Sequence, residues 1–126
     1  MSDHQDVKDF QTKFEIPMPE TPTFLNYDEY LFRTNFMYEE LAEFEQSNTD
    51  KDMEGAADAL VDLVYVVHGT ALMMGIPWEK IWNEVQRANM TKVRATSAEQ
   101  SKRDTALDVI KPSGWVGPNH KEALGL

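Results

Sequence analysis

The stretch Ala56 to Ile76 is nearly apolar, and Asp58, Asp62 and His68 interrupt it. A segment close to the ~20 residues of a bilayer-spanning helix must be either a span or the central helix of a folded core. The acids decide between the two. A central Asp costs on the order of 2.5–3.5 kcal/mol on insertion scales, and no basic flank or aromatic belt offsets that cost here. The stretch is therefore expected to be the central helix of an all-α bundle with no membrane partner.

Around it the chain reads as helical, with three further segments and an irregular tail. Val7, Phe10 and Phe14 stand at helical spacing, so a short first helix is expected over Val7 to Glu15, ended by the Pro-rich stretch Ile16 to Pro22. Asn26 and Glu29 have the spacing of a capping box, and the run from Asp28 to about Gln46 holds no Gly or Pro, which predicts the second helix. Ser47 to Lys51 is polar and reads as a loop. The third helix is expected from about Asp52 to Met74, the longest and most buried, with Gly75 at its C′ position. Pro77 suits the first turn of a fourth, continuing through Trp78, Ile81, Trp82 and Val85 to about Met90. Met73, Met74, Trp78 and Trp82 read as core, and His68 as a hydrogen-bonded core residue. After Lys92 the periodicity fades. The segment containing Lys111, Pro112, Gly114, Trp115, Gly117 and Pro118 cannot form a regular helix, and Trp115 is its natural anchor.

With 126 residues, 41% of them hydrophobic, the chain suits a single domain over 1–126 whose residues 93–126 form an extended tail. Its net charge of −10 argues against sequence-independent binding to nucleic acid, which needs clustered Lys and Arg to displace condensed counterions. A cation or a small molecule is the expected partner. The absence of cysteine removes thiol nucleophiles and zinc–thiolate sites. Met1 to Asp9 is polar and acidic, unlike a secretory or transit peptide, so a cytoplasmic location is expected.

Residues three and four apart share a helical face, so Glu39 and Glu40 each set a carboxylate near that of Glu43. Taken alone, this patch is explained by a solvated acidic face. The next helix changes the weighting. Asp62 lies among Leu60, Val61, Leu63, Val64 and Tyr65, and no rotation of the helix is expected to expose it without exposing large apolar groups. A buried carboxylate needs compensation by a metal ion, by a cation such as Arg33 or Arg87, or by a hydrogen-bonded network. Two acid sets on neighbouring long helices favour the metal, and carboxylates without Cys or a nearby His suit Mg²⁺ or Mn²⁺. Such sites keep positions for water and phosphate oxygens, which points to a phosphorylated substrate. Arg87, Asn89, Thr91 and Lys92, gathered at the end of the fourth helix, suit phosphate binding or helix capping equally.

The runs Tyr38-Glu39-Glu40-Leu41-Ala42-Glu43, Asp58-Ala59-Leu60-Val61-Asp62-Leu63-Val64-Tyr65 and Arg87-Ala88-Asn89-Met90-Thr91-Lys92 resemble the MazG-like and phosphoribosyl-ATP pyrophosphohydrolase-like superfamily. The likeness extends to Val7-Lys8-Asp9-Phe10 and to Lys111-Pro112-Ser113-Gly114-Trp115. It implies an all-α bundle of four-helix type, assembled as a dimer or a dimer of dimers, that hydrolyses nucleoside triphosphates or related nucleotides between the α and β phosphates. It further implies that Glu40, Glu43 and Asp62 bind Mg²⁺, two ions or more, with Mn²⁺ as a substitute. Glu39 would be a further ligand or the base that activates water, and Arg87, Asn89 and Lys92 would contact the triphosphate. The family pattern of EExxE followed by ExxD would put an acid at Ala59. This chain offers Asp58 instead, four residues before Asp62 and still on its face. The tail and the long first loop are most similar to phage and bacterial stand-alone proteins, including a branch acting on purine deoxynucleotides such as dGTP and dATP. Two rivals stand beside this reading: hydrolysis of phosphoribosyl-ATP, and a non-catalytic acidic bundle that binds metal or a protein partner. A di-iron bundle would need two Glu-x-x-His motifs, and the chain has none.

Overall fold

A computed structural model describes residues 2–126 and shows a mostly helical chain. Its elements are α1 (Asp3–Lys13), α2 (Tyr27–Asp50), α3 (Met53–Met73), α4 (Trp78–Asn89) and α5 (Lys121–Leu124), with two short strands, β1 (Val93–Arg94) and β2 (Val109–Ile110). The chain divides into two compact units, one ending at Ile76 and the other running from Pro77 to Leu126.

In the first unit, α3 packs along α2, and α1 also lies against α3. Local chemistry sets each boundary. Ser2 caps α1 by accepting from the Gln5 amide at 3.1 Å, which starts the helix one turn earlier than Val7. The capping box of α2 is complete: Asn26 Oδ1 accepts from Glu29 N at 2.8 Å, and Glu29 Oε1 accepts from Asn26 N at 3.1 Å. The expected loop at Ser47 to Lys51 is a correction, because α2 continues through Asp50. Nothing in Ser47–Asp50 forbids helix, and Gln46 reaches Asp50 at 3.0 Å. The turn is made by Lys51 in the left-handed region (φ 56°), after which Asp52 caps α3 on Gly55 N at 3.0 Å. At the other end of α3, Gly75 takes a positive φ of 65°. Its missing side chain also admits the Pro-rich segment, since a Cβ there would collide with the carbonyl oxygens of Pro19 and Thr21.

α3 carries more of the buried positions than its neighbours, with Ala59, Val66, His68, Gly69, Ala71 and Leu72 inside, but at 21 residues it is not the longest helix, because α2 runs on through Asp50 to 24. His68 is 7% exposed and its Nδ1 lies 2.9 Å from that of His4, so it is a hydrogen-bonded core residue as expected. The N-terminal half of α3 departs from expectation. Leu60, Val61 and Val64 remain exposed, so the helix does present large apolar groups to solvent. By length and composition α3 could cross a membrane, a test that a core helix of a soluble protein also passes.

In the second unit, α4 folds together with the chain that follows it. β1 pairs antiparallel with β2, Val93 opposite Ile110. Trp115 donates its indole N–H to the Ala88 carbonyl at 2.9 Å, which makes it the anchor of the tail. Trp82 is a correction: it is 57% exposed and stacks on Trp78 at 6.2 Å, outside the core.

Candidate functional site

On α2 the helical period puts Arg33, Phe36 and Glu40 on one face, with Glu39 and Glu43 on its edge. The inward face carries two charges, for Arg33 and Glu40 are the buried residues of α2, 7% and 6% exposed. Glu39 and Glu43 are exposed. The four-residue step on α3 sets Asp58 and Asp62 on one side, Asp58 exposed and Asp62 half-buried, while Ala59 is fully inside. An acid at position 59 would thus point into the core, and Asp58 stands where solvent and Asp62 are both reachable.

Glu40 and Asp62 line one cavity of about 210 Å³ between α1, α2 and α3. Asp58 opens onto a separate hollow beside Asp52 and Glu54. Burial, then the neighbouring carboxylates of Glu43, Asp62 and Glu39, push Glu40 up to about 7. Asp62 is raised too, by burial first and then by Asp58 and Glu43. These acids are therefore close enough to oppose each other's ionisation.

Within the first unit, no arginine among the described residues pairs with these acids. Arg33 donates to Thr70 Oγ1 at 3.0 Å and to the Val66 carbonyl at 2.9 Å, and burial lowers its pKa. Arg87 pairs with Glu84 at 2.9 Å and donates to the carbonyl of Gly117 at 3.1 Å. Among the described residues of the first unit the Arg33 guanidinium does not pair with Asp62. Glu40 Oε2 is buried with no hydrogen-bond partner there. Burial and a hydrogen bond shared with Glu43 favour the protonated form of Glu40, and a hard cation displaces such a proton from clustered carboxylates, the donor type that Mg²⁺ takes. Among the described residues no three such groups already converge on one point. The carboxylates are gathered but not closed.

The residues expected to touch phosphate lie in the second unit. Asn89 is exposed, and Lys92 Nζ stands 5.4 Å from the Trp115 ring centroid, with Lys111 at 5.1 Å. Arg87 is committed to Glu84 and the tail, where it serves to hold the chain after α4.

Sequence reasoning missed Gln11, which is 1% exposed and lines the same cavity. The signal was present: Val7, Gln11 and Phe14 recur at helical spacing, which sets an amide on the face that should be apolar. Arg33, considered only as a partner for Asp62, is instead a buried support of α3.

The family described as phosphoribosyl-ATP pyrophosphohydrolase matches the chain over residues 7–89. The matched span holds all five candidate acids together with Arg87 and Asn89, and it stops short of Lys92 and the Trp115 segment. No curated protein matches the chain.

Proposed function

The chain belongs to the phosphoribosyl-ATP pyrophosphohydrolase family, of the all-α MazG-like superfamily, and is thus a pyrophosphohydrolase of a nucleotide substrate; from that premise we propose that it hydrolyses nucleoside or deoxynucleoside triphosphates to the monophosphate and pyrophosphate in a Mg²⁺-dependent reaction. The observation that carries the metal is the unpartnered, buried Oε2 of Glu40 beside Glu43 and Asp62. Glu40, Glu43 and Asp62 hold the ions, two or more, with Asp58 completing the set in place of an acid at 59; Mn²⁺ substitutes. Bound there, the metal supplies Lewis acidity and neutralises charge on the phosphate oxygens.

The protein's own groups do the rest. Glu39, exposed beside the buried Glu40, accepts the proton of the attacking water as its oxygen adds to the α phosphorus. The bond from the α phosphorus to the bridging oxygen breaks; on the family resemblance, Lys92 stabilises charge on the departing pyrophosphate and Asn89 contacts the triphosphate. Arg87 acts on the triphosphate only if it leaves Glu84. Purine deoxynucleotides are the expected preference, on the resemblance of the tail and first loop to a branch with that activity. The exposed apolar side chains Leu60, Val61 and Val64 support a homodimer or dimer of dimers in which a second copy covers α3.

The test is a panel of ribo- and deoxynucleoside triphosphates with phosphoribosyl-ATP and Mg²⁺, scoring monophosphate and pyrophosphate. Pyrophosphate from nucleoside triphosphates is expected. Orthophosphate release, or silence across the panel, overturns the reading, and turnover of phosphoribosyl-ATP alone favours the activity in the family's description. Glu40→Ala and Asp62→Ala are each expected to lower kcat by at least about a hundredfold while the helical circular-dichroism signal stays intact.

A further inference from the structure

Positions seven apart keep nearly the same side of a helix, so on two antiparallel helices a seven-residue step carries one facing pair on to the next. α2 and α3 are joined through Lys51 and Asp52 alone, which makes them antiparallel neighbours. Three facing pairs follow one another along their seam: Ser47 with Gly55, Glu40 with Asp62, and Arg33 with Gly69. The acids form the middle layer. The two outer layers are built alike, with glycine on α3 and a side chain from α2 in the room that a Cβ would need. A Cβ at Gly55 would lie 2.7 Å from Ser47 Oγ, and one at Gly69 would lie 2.6 Å from Arg33 Nη2. Glycine inside a helix loosens it relative to alanine, so at Gly69 close approach is the compensating gain.

The layer at Gly69 is the one that can hold a register. Arg33, 7% exposed, donates Nε to Thr70 Oγ1 at 3.0 Å and Nη2 to the Val66 carbonyl at 2.9 Å. Thr70 Oγ1 donates to the same carbonyl at 2.7 Å, so the three groups close on one another. Phe32 and Phe36 each place a ring 5.8 Å from the guanidinium carbon. A planar fork fixed at two points does not tolerate a shift of α2 along α3 by one residue, about 1.5 Å, without breaking both bonds. We propose that Arg33 and Gly69 are positioning residues for the metal site: their contact fixes the register of α2 against α3, and that register sets Glu40 opposite Asp62 two turns away. This rests on the reading of those acids as Mg²⁺ ligands and extends it to residues that touch neither ion nor substrate.

Arg33 lines the same cavity as the acids, so its charge has to be told apart from its position. The two act in opposite directions. A nearby cation repels Mg²⁺, so loss of the charge alone would tighten binding, whereas loss of register weakens it. The experiment is a calorimetric titration of the full-length protein with Mg²⁺ and no nucleotide, beside thermal melting in EDTA. Gly69→Ala puts a methyl group where the guanidinium lies, and Arg33→Met removes the fork. Each is expected to weaken Mg²⁺ binding roughly tenfold, the scale of losing support behind metal ligands. The double variant should bind no worse than the weaker single one, because both break the same contact. Arg33→Lys keeps the charge and can make only one of the two bonds, so its loss should fall between; with Gly69→Ala it carries the test if Arg33→Met does not fold. Gly75→Ala, which strains the end of α3 away from the seam, should lower Tm and leave Mg²⁺ affinity unchanged.

Unchanged or tighter Mg²⁺ binding in Gly69→Ala and the Arg33 variants would overturn the proposal, even if Tm falls, because the contact would then serve stability alone. Losses that add in the double variant would overturn it too, as would a loss of Mg²⁺ affinity in Gly75→Ala in proportion to its Tm. Failure of the metal reading itself looks different: the wild-type protein would bind no Mg²⁺, before any variant is made, and the positioning role would fall with it.

Discussion

Glu40 is the residue on which the site turns, and its ionisation supplies a sharp test. Its carboxyl, with an ordinary value of 4.5, sits at about 7 in the folded chain. Between those values the native state holds the proton more tightly than the unfolded state, so the contribution to stability is full below about 4.5 and is lost as pH rises through about 7. Asp62, raised as well, acts in the same direction. In EDTA-treated protein Tm should therefore fall from pH 5 to pH 8, and Glu40→Gln should flatten that slope; an unaltered slope in the variant would place the titration elsewhere. Mg²⁺ competes with the same proton, so its affinity, read by calorimetry, should rise over this window. Residue types and spacing made the acid pattern legible before any fold was known. They did not reveal which member loses its solvent, because that depends on α1 and α3, whose side chains reach Glu40 from elsewhere in the chain.

At the level of elements, short-range chemistry governs. The capping box at Asn26 and Glu29 and the glycine at position 75 were legible because each involves residues within one turn of a helix end. The end of α2 is not legible, for a related reason: polar residues at Ser47–Asp50 are compatible with both loop and helix, and only the turn that Lys51 makes beside Asp52 settles which. Lys51 adopts a left-handed conformation that costs a side-chain-bearing residue on the order of 1 kcal/mol. Lys51→Gly is therefore expected to raise stability by roughly 0.5–1 kcal/mol in urea denaturation, with no change in activity. Gly75→Ala should do the opposite. It combines a positive φ with a collision against the backbone of the Pro-rich segment, and a loss of more than about 1–2 kcal/mol is expected by the same measurement.

For the molecule as a whole, the exposed Leu60, Val61 and Val64 mark where α3 is incomplete as a single chain. If a second copy covers them, Val61→Lys should shift the mass measured by light scattering toward the monomer, because a charge in an apolar interface loses its hydration unpaired. A wild-type protein that is already monomeric at micromolar concentration would remove that role from α3. Several features follow from the sequence by itself: the all-α class, the approximate extent of α1 to α4, the two acid sets on neighbouring helices, and Trp115 as the anchor of the tail. Helical period, capping and side-chain spacing are properties of residues a few positions apart, and they survive without knowledge of the fold. Tertiary structure decided the remainder. It buried Glu40 and left Asp62 only half-covered, engaged Arg33 with Thr70 and Val66 and Arg87 with Glu84, exposed the apolar half of α3, and set the unpartnered amide of Gln11 in the same cavity as Glu40. Burial and counter-charge are supplied by side chains from elsewhere in the chain, so no local pattern encodes them.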